Sequence, residues 1–144
     1  MPRLLAIALL SSGCVTAIER SYTFSEDIHA IDFGVEAGEV TLVPSQSGQV
    51  ELDVAFGGIG RAAGPEVVDG VLMMDYDCEG LGICGGELTL AVPDGVFVYG
   101  HLSMGDLQVE GLTGPVELTV DSGSISAAGP VSYTHLTLPT TYTV

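Results

Sequence analysis

Gly86-Glu87-Leu88-Thr89-Leu90, Gly105-Asp106-Leu107-Gln108-Val109, Gly114-Pro115-Val116-Glu117-Leu118 and Gly123-Ser124-Ile125-Ser126-Ala127 are four statements of one phrase. Each opens on a glycine, passes through a polar or small residue, and then runs apolar, polar, apolar. Two more copies lie upstream, Gly38-Glu39-Val40-Thr41-Leu42 and Gly48-Gln49-Val50-Glu51-Leu52. A turn glycine followed by strict alternation predicts a short strand that buries every second side chain. The inward set in the later copies is then Leu88, Leu90, Leu107, Val109, Val116, Leu118 and Ile125.

The spacing carries the next step. Val98, Leu107, Val116 and Ile125 fall at nine-residue intervals, and Met104-Gly105 repeats as Ser122-Gly123 after eighteen. Nine residues hold a strand of about five and a turn of about four. Two such steps make one coil of a β-solenoid, each strand stacking on its counterpart one coil away. An antiparallel meander repeats at a similar period, but the eighteen-residue match in turn chemistry favours the solenoid. The expected class is therefore all-β, a repeat β-solenoid or β-helix-like stack of short strands.

Outward from the repeat, Val92-Pro93-Asp94-Gly95-Val96 reads as a tight turn. Upstream, Arg20–Phe24 and Ile28–Phe33 alternate as strands. Glu39–Val43 and Gln49–Val54 read as two strands joined by Pro44-Ser45-Gln46-Ser47-Gly48, with Thr41, Glu51 and Asp53 outside. Phe56 to Pro65 is glycine-rich and reads as a loop, and Val67 to Tyr76 resumes strand character.

The chain has 144 residues, room for one domain, and its 47% hydrophobic content is enough for a core. Twenty glycines and the absence of tryptophan fit a turn-rich β protein. There is no lysine; Arg3, Arg20 and Arg61 stand against 19 acidic residues, for a net charge of −16. Without Arg3 the balance becomes 2 − 19 = −17. Such a surface repels phosphate backbones, which argues against nucleic acid as a partner.

Met1-Pro2-Arg3, the apolar run Leu4–Leu10 and the small residues Ser11-Ser12-Gly13 before Cys14 make a secretory signal over residues 1–13. The apolar run is too short to span a bilayer. The cysteine after small residues resembles the lipobox of bacterial lipoproteins, although Ser11 stands where leucine is usual and Leu10 lies one place earlier. That resemblance implies lipidation at Cys14, a new N-terminus there and a membrane anchor. Val15, rather than aspartate, follows the cysteine, so the inner-membrane retention signal of some lipoproteins is missing and an outer-membrane envelope location is expected.

The run GELTLAVPDGVFVYGHLSMGDLQVEGLTGPVELTVDSGSISAAGP resembles the bacterial putative-adhesin domain family, most specifically from Val92 to Gly129. The resemblance extends over about Glu39 to Pro130, and Met104 and Ser122 stand where that family more often has Asn or Ser. It implies a β-solenoid-like stack and an adhesion or structural role toward an envelope or extracellular partner, in a family with no known catalytic residues; no cofactor is expected. The expected organisation is a signal over 1–13, a lead-in over 14–36, the repeat domain over 37–130 and a tail over 131–144. The tail, Ser132-Tyr133-Thr134-His135-Leu136-Thr137-Leu138-Pro139-Thr140-Thr141, resembles translated sequencing adapter and carries no acidic residue. On that reading it is not natural sequence, and further repeats follow in the natural chain.

Candidate chemistry is sparse. Cys78 and Cys84 bracket five residues, and in an exported chain so close a pair forms a structural disulfide. No Cys-x-x-Cys pair or local histidine accompanies them to favour metal. Gly58-Ile59-Gly60-Arg61-Ala62-Ala63 matches G-x-G-x-x-A in letters, but Gly64-Pro65 breaks the helix a dinucleotide site needs. His101-Leu102-Ser103-Met104-Gly105 lacks the first glycine of a nucleophile elbow, and His29, His101 and His135 are far apart in sequence. Asp75, Asp77, Glu79, Asp94, Asp106, Glu110 and Asp121 gather near expected turns. Carboxylates on successive turns would suit a calcium-binding β-repeat module, and paired carboxylates a polysaccharide-active β-helix enzyme. These are the alternatives to a non-catalytic envelope lipoprotein.

Overall fold

The computed structural model describes residues 17–58, 60–78, 84–128, 132–137 and 141–143. The described residues are all-β: β1 (Ala17–Phe24), β2 (Ala30–Pro44), β3 (Val50–Gly58), β4 (Gly60–Val68), β5 (Val71–Cys78), β6 (Cys84–Val92), β7 (Phe97–Glu110), β8 (Pro115–Ala128), β9 (Ser132–Thr137) and β10 (Thr141–Thr143). They form one ten-stranded sheet, open and curled upon itself.

The long strands β2, β7 and β8 explain the curl. Along β7 the buried positions are Val98, Gly100 and Leu102, then Leu107 and Val109, so the inward parity switches between 102 and 107. A straight strand cannot switch parity, because its side chains alternate strictly. The strand therefore turns a corner, and its two arms face one interior. Gly38, Gly105 and Gly123 sit at these corners with φ of +142°, +140° and +144°. They align across the strands: Gly38 pairs with both Gly86 and Gly105, and Gly105 pairs with Gly123. A Cβ on Gly105 would lie 1.7 Å from the Gly38 carbonyl oxygen, and one on Gly123 the same distance from that of Gly105. At these three copies of the phrase the opening glycine is thus required twice, by its φ and by the backbone beside it.

Pairing around the corners is parallel. β7 lies on β2 with Ile31 opposite Val98 and Val40 opposite Leu107. β8 lies on β7 with Val98 opposite Val116 and Leu107 opposite Ile125, an offset of 116 − 98 = 18 residues in both arms. On the other side of β2, β5 pairs parallel with the first arm and β6 with the second. Beyond β6, β3 and then β1 continue the second arm antiparallel; beyond β5, β4 continues the first arm antiparallel. β9 and β10 pair parallel with the two arms of β8.

All seven residues expected to point inward are buried, and Val98, Leu107, Val116 and Ile125 are fully so. Ile31, Phe33, Leu42, Leu52, Leu72, Leu90, Leu102 and Leu118 complete the centre. Each such side chain contributes about 1.5–3 kcal/mol through burial. Gly100 is matched to its neighbours by size: a Cβ there would meet the Phe33 ring at 2.2 Å and Leu118 at 2.9 Å. Tyr22, Phe24, Phe56 and Val67 pack against the core from the outer strands, and Phe56 meets Tyr76 with ring centroids 5.3 Å apart. Burial pushes the Tyr76 phenol up to about 12.

Three sequence expectations change. The strands on either side of Pro44–Gly48 are not neighbours, because β6 lies between β2 and β3. The glycine-rich stretch read as a loop is largely strand, with Gly60 opposite Cys78 and a register shift between Ala63 and Glu66 around Gly64-Pro65. The segment from Val67 to Tyr76 is two strands, since Asp69 (φ +53°) and Gly70 (φ +78°) form a two-residue hairpin between Val68 and Val71. That hairpin docks on the start of β2, where the His29 and Ala30 amides donate to the Gly70 carbonyl. β2 itself runs unbroken across residues 36 and 37, so the second half of the lead-in carries core residues.

Candidate functional site

Because every second residue of an arm points inward, the parallel register turns the remaining residues into rows across the outside. No charged side chain is buried among the described residues, and the Tyr76 hydroxyl is the buried exception among polar groups there. The charged side chains of the described residues therefore sit on two outer faces and at the turns.

On the outer face of the second arm, Glu87, Glu39, Asp106 and Ser124 form one row and Asp53, Thr89, Thr41, Gln108 and Ser126 the next. Neighbours within these rows bond to each other: Ser124 Oγ donates to Asp106 Oδ1 at 2.8 Å, and Ser21 Oγ on β1 donates to Asp53 Oδ1 at 2.6 Å. At the far end of the arms, Thr113 Oγ1 donates to Asp94 Oδ1 and accepts from the Gly95 amide, both at 3.2 Å, tying one turn to the next.

The outer face of the first arm differs in character. Met73, Asp32, Tyr99 and Glu117 make one row, and Asp75, Gly34, His101 and Thr119 the row beside it. Tyr99 stacks on Phe97, two residues before it, with centroids 4.4 Å apart and planes 7° from parallel. Val68, Met73 and Tyr99 are each more than 40% exposed, so this arm presents an apolar and aromatic strip edged by carboxylates. His101 Nε2 lies 2.9 Å from Asp121 Oδ2, with both side chains about half exposed. The Asp75 carboxyl is held above its ordinary range, chiefly by desolvation and then by the charges of Asp77, Asp32 and Glu36. Gly34 leaves room for it, since a Cβ there would come within 2.9 Å of Asp75 Oδ1.

Of the acidic residues read as turn carboxylates, Asp75 and Asp77 lie in β5, Asp106 and Glu110 in β7 and Asp121 in β8, while Asp94 lies in a turn. Glu79 falls outside the described residues. No group of three or more His, Cys, Asp or Glu side chains suited to a metal ion occurs among the described residues. The structure separates His29, at the β4–β5 turn where its Nε2 lies 3.1 Å from the Asp69 carbonyl oxygen, from His101 on the first arm. Residues 1–16, with the signal and Cys14, lie outside the described residues, as do the side chains of Cys78 and Cys84. Sequence reading missed the row Asp32–Tyr99–Glu117. Its second step, from Tyr99 to Glu117, follows from the eighteen-residue repeat; its first, from Asp32, has no periodic signal.

No protein-family model matches the chain, and no curated protein matches it. Among solved structures it is similar to a putative cell adhesion protein from Clostridium sporogenes, at 9% identity and a TM-score of 0.54, over 86% of this chain and 73% of that one. A putative adhesin from Bacteroides fragilis aligns at 13% identity over 92% of this chain and 98% of that one, with a TM-score of 0.32. One from Parabacteroides merdae aligns at 9% identity over 89% and 95%, with a TM-score of 0.31. At such identities the first likeness establishes a shared fold: this curled all-β sheet is also the fold of the Clostridium sporogenes protein.

Proposed function

We propose that the protein is an exported, non-catalytic envelope module of adhesin-like kind, built as a two-armed parallel β-solenoid. In this reading a lipid on Cys14 anchors it, a Cys78–Cys84 disulfide closes the segment between β5 and β6, and the outer faces meet the partner. The observation that carries the reading is the segregation of side chains, with an apolar interior and no charged side chain buried among the described residues. A catalytic site needs groups converging in a sheltered cleft, whereas long rows of exposed side chains suit contact with an extended surface. The eighteen-residue parallel offset supports the solenoid. The shared fold with a protein described as a putative cell adhesion protein supports the adhesin-like role.

Beads coated with the full chain test this on immobilised bacterial and epithelial cells. Two comparison variants replace outer-face residues with alanine, one at Asp32, Tyr99 and Thr119 on the first arm, the other at Thr41, Asp106 and Gln108 on the second. The reading expects retention above that of bare beads, lost in one of the two variants while its circular dichroism is unchanged. Retention no greater than that of bare beads on both surfaces contradicts it.

A further inference from the structure

We infer that the outer face of the first arm docks an arginine-bearing segment of a basic partner protein, with Tyr99 as the platform and Asp32 and Glu117 as its two flanks. This rests on the interaction-module reading above and names the partner's chemistry.

The geometry comes from the register. Asp32 on β2 and Glu117 on β8 are the direct lateral partners of Tyr99 on β7, so a carboxylate stands on each side of the ring at about the 4.8 Å strand spacing. Tyr99 is 41% exposed as a residue, and its ring is stacked on Phe97. A guanidinium is planar, weakly hydrated and always charged; it stacks on an aromatic face and gives paired hydrogen bonds to carboxylates. A ring between two carboxylates offers both contacts at once. A lysine ammonium gains the charge attraction but stacks less well and is more strongly hydrated.

Charge complementarity selects the partner. β2, β7 and β8 carry no lysine or arginine, so these strands supply no permanent cation to the two flanking carboxylates. Arg20 lies on β1 at the far edge of the other arm, and Arg61 pairs along the backbone with Asp77, two rows from Tyr99. With a net charge of −16 on each chain, a second copy would be repelled from this face, as would an anionic lipid surface. Met73 and Val68, each over 40% exposed, continue the strip toward β4 and give apolar neighbours of a docked arginine a place to pack.

The test uses the ¹⁵N-labelled full chain titrated at low ionic strength with acetyl-tetra-arginine amide, and in parallel with acetyl-tetra-lysine amide. The proposal expects chemical-shift changes centred on Asp32, Tyr99 and Glu117, and binding of the arginine peptide at least threefold tighter than the lysine peptide. Tyr99→Ala should weaken the arginine peptide fivefold or more. The conservative double variant Asp32→Asn with Glu117→Gln should do the same while leaving the fold intact, and Glu87→Gln on the opposite face should leave affinity unchanged. Shifts spread evenly over both outer faces, no preference for arginine, or affinity within twofold of wild type in both first-arm variants would each overturn it. The bead assay reads the module separately: retention of coated beads with no localised peptide binding removes the arginine site and leaves the module.

Discussion

Gly105→Ala places a methyl group where there is no room for one. Its Cβ would lie 1.7 Å from the Gly38 carbonyl oxygen, and ordinary contact begins near 3.4 Å. The two strands must therefore separate locally by 3.4 − 1.7 = 1.7 Å, or the corner must rotate. Such a separation takes hydrogen bonds of about 2.9 Å beyond reach; losing two costs about 1 kcal/mol each. The φ of +140° adds about 1–3 kcal/mol for a residue with a side chain. The expected loss is about 3–5 kcal/mol, a large part of the 5–15 kcal/mol typical of a domain. Gly48→Ala is the control, because Gly48 also has positive φ (+84°) but nothing within 4 Å of its absent Cβ; it should lose only about 1–2 kcal/mol. Urea unfolding followed by circular dichroism measures both. Equal destabilisation of the two variants would refute the claim that contact between stacked corners makes the glycine necessary.

Other consequences follow from the same geometry. Gly100→Ala should cost about 1–3 kcal/mol by overpacking against Phe33, and Phe33→Leu should be less harmful in that background than in wild type, a coupling that a double-mutant cycle in urea reads directly. Asp75 has a folded-state pKa raised first by desolvation and then by Asp77, Asp32 and Glu36. Its contribution to stability is therefore full below the unfolded value of 3.8 and lost as pH rises through the folded one. Asp75→Asn should accordingly raise the melting temperature at pH 7 and change it little at pH 3, and a lower melting temperature at pH 7 would contradict this. For the disulfide, intact mass should rise by two hydrogens on reduction, and Cys78→Ser should abolish that step.

The parts of this fold readable in the sequence are those in which one periodicity serves one environment. Val98, Leu107, Val116 and Ile125 could be assigned to the core because nine residues separate equivalent points on successive arms, and all four are buried. The parity switch at Gly105 was hidden in the same pattern, since each five-residue phrase alternates properly and only the join is irregular. Partners with no fixed offset were not readable. Nothing in the sequence places β6 between β2 and β3, and Asp32 meets Tyr99 across a chain separation of 99 − 32 = 67 residues. Asp69-Gly70 was a hairpin signal of the strongest kind, obscured by apolar residues on both sides that read as one strand. Gly57, Gly58 and Gly60 looked like a loop by composition, but pairing of the first two with β6 and of the third with β5 overrides that local preference.

The glycine-led phrase builds parallel arms whose outer rows, together with the turns, carry the charged side chains of the described residues. Backbone nuclear Overhauser contacts in the labelled full chain test this central claim most directly. Cross-strand contacts should join 98 to 116, 105 to 123 and 38 to 105, with partner numbers on β8 rising as those on β7 rise. Contacts in which the β8 partner number falls as the β7 number rises would make the repeat an antiparallel meander, and the row of Asp32, Tyr99 and Glu117 would not exist.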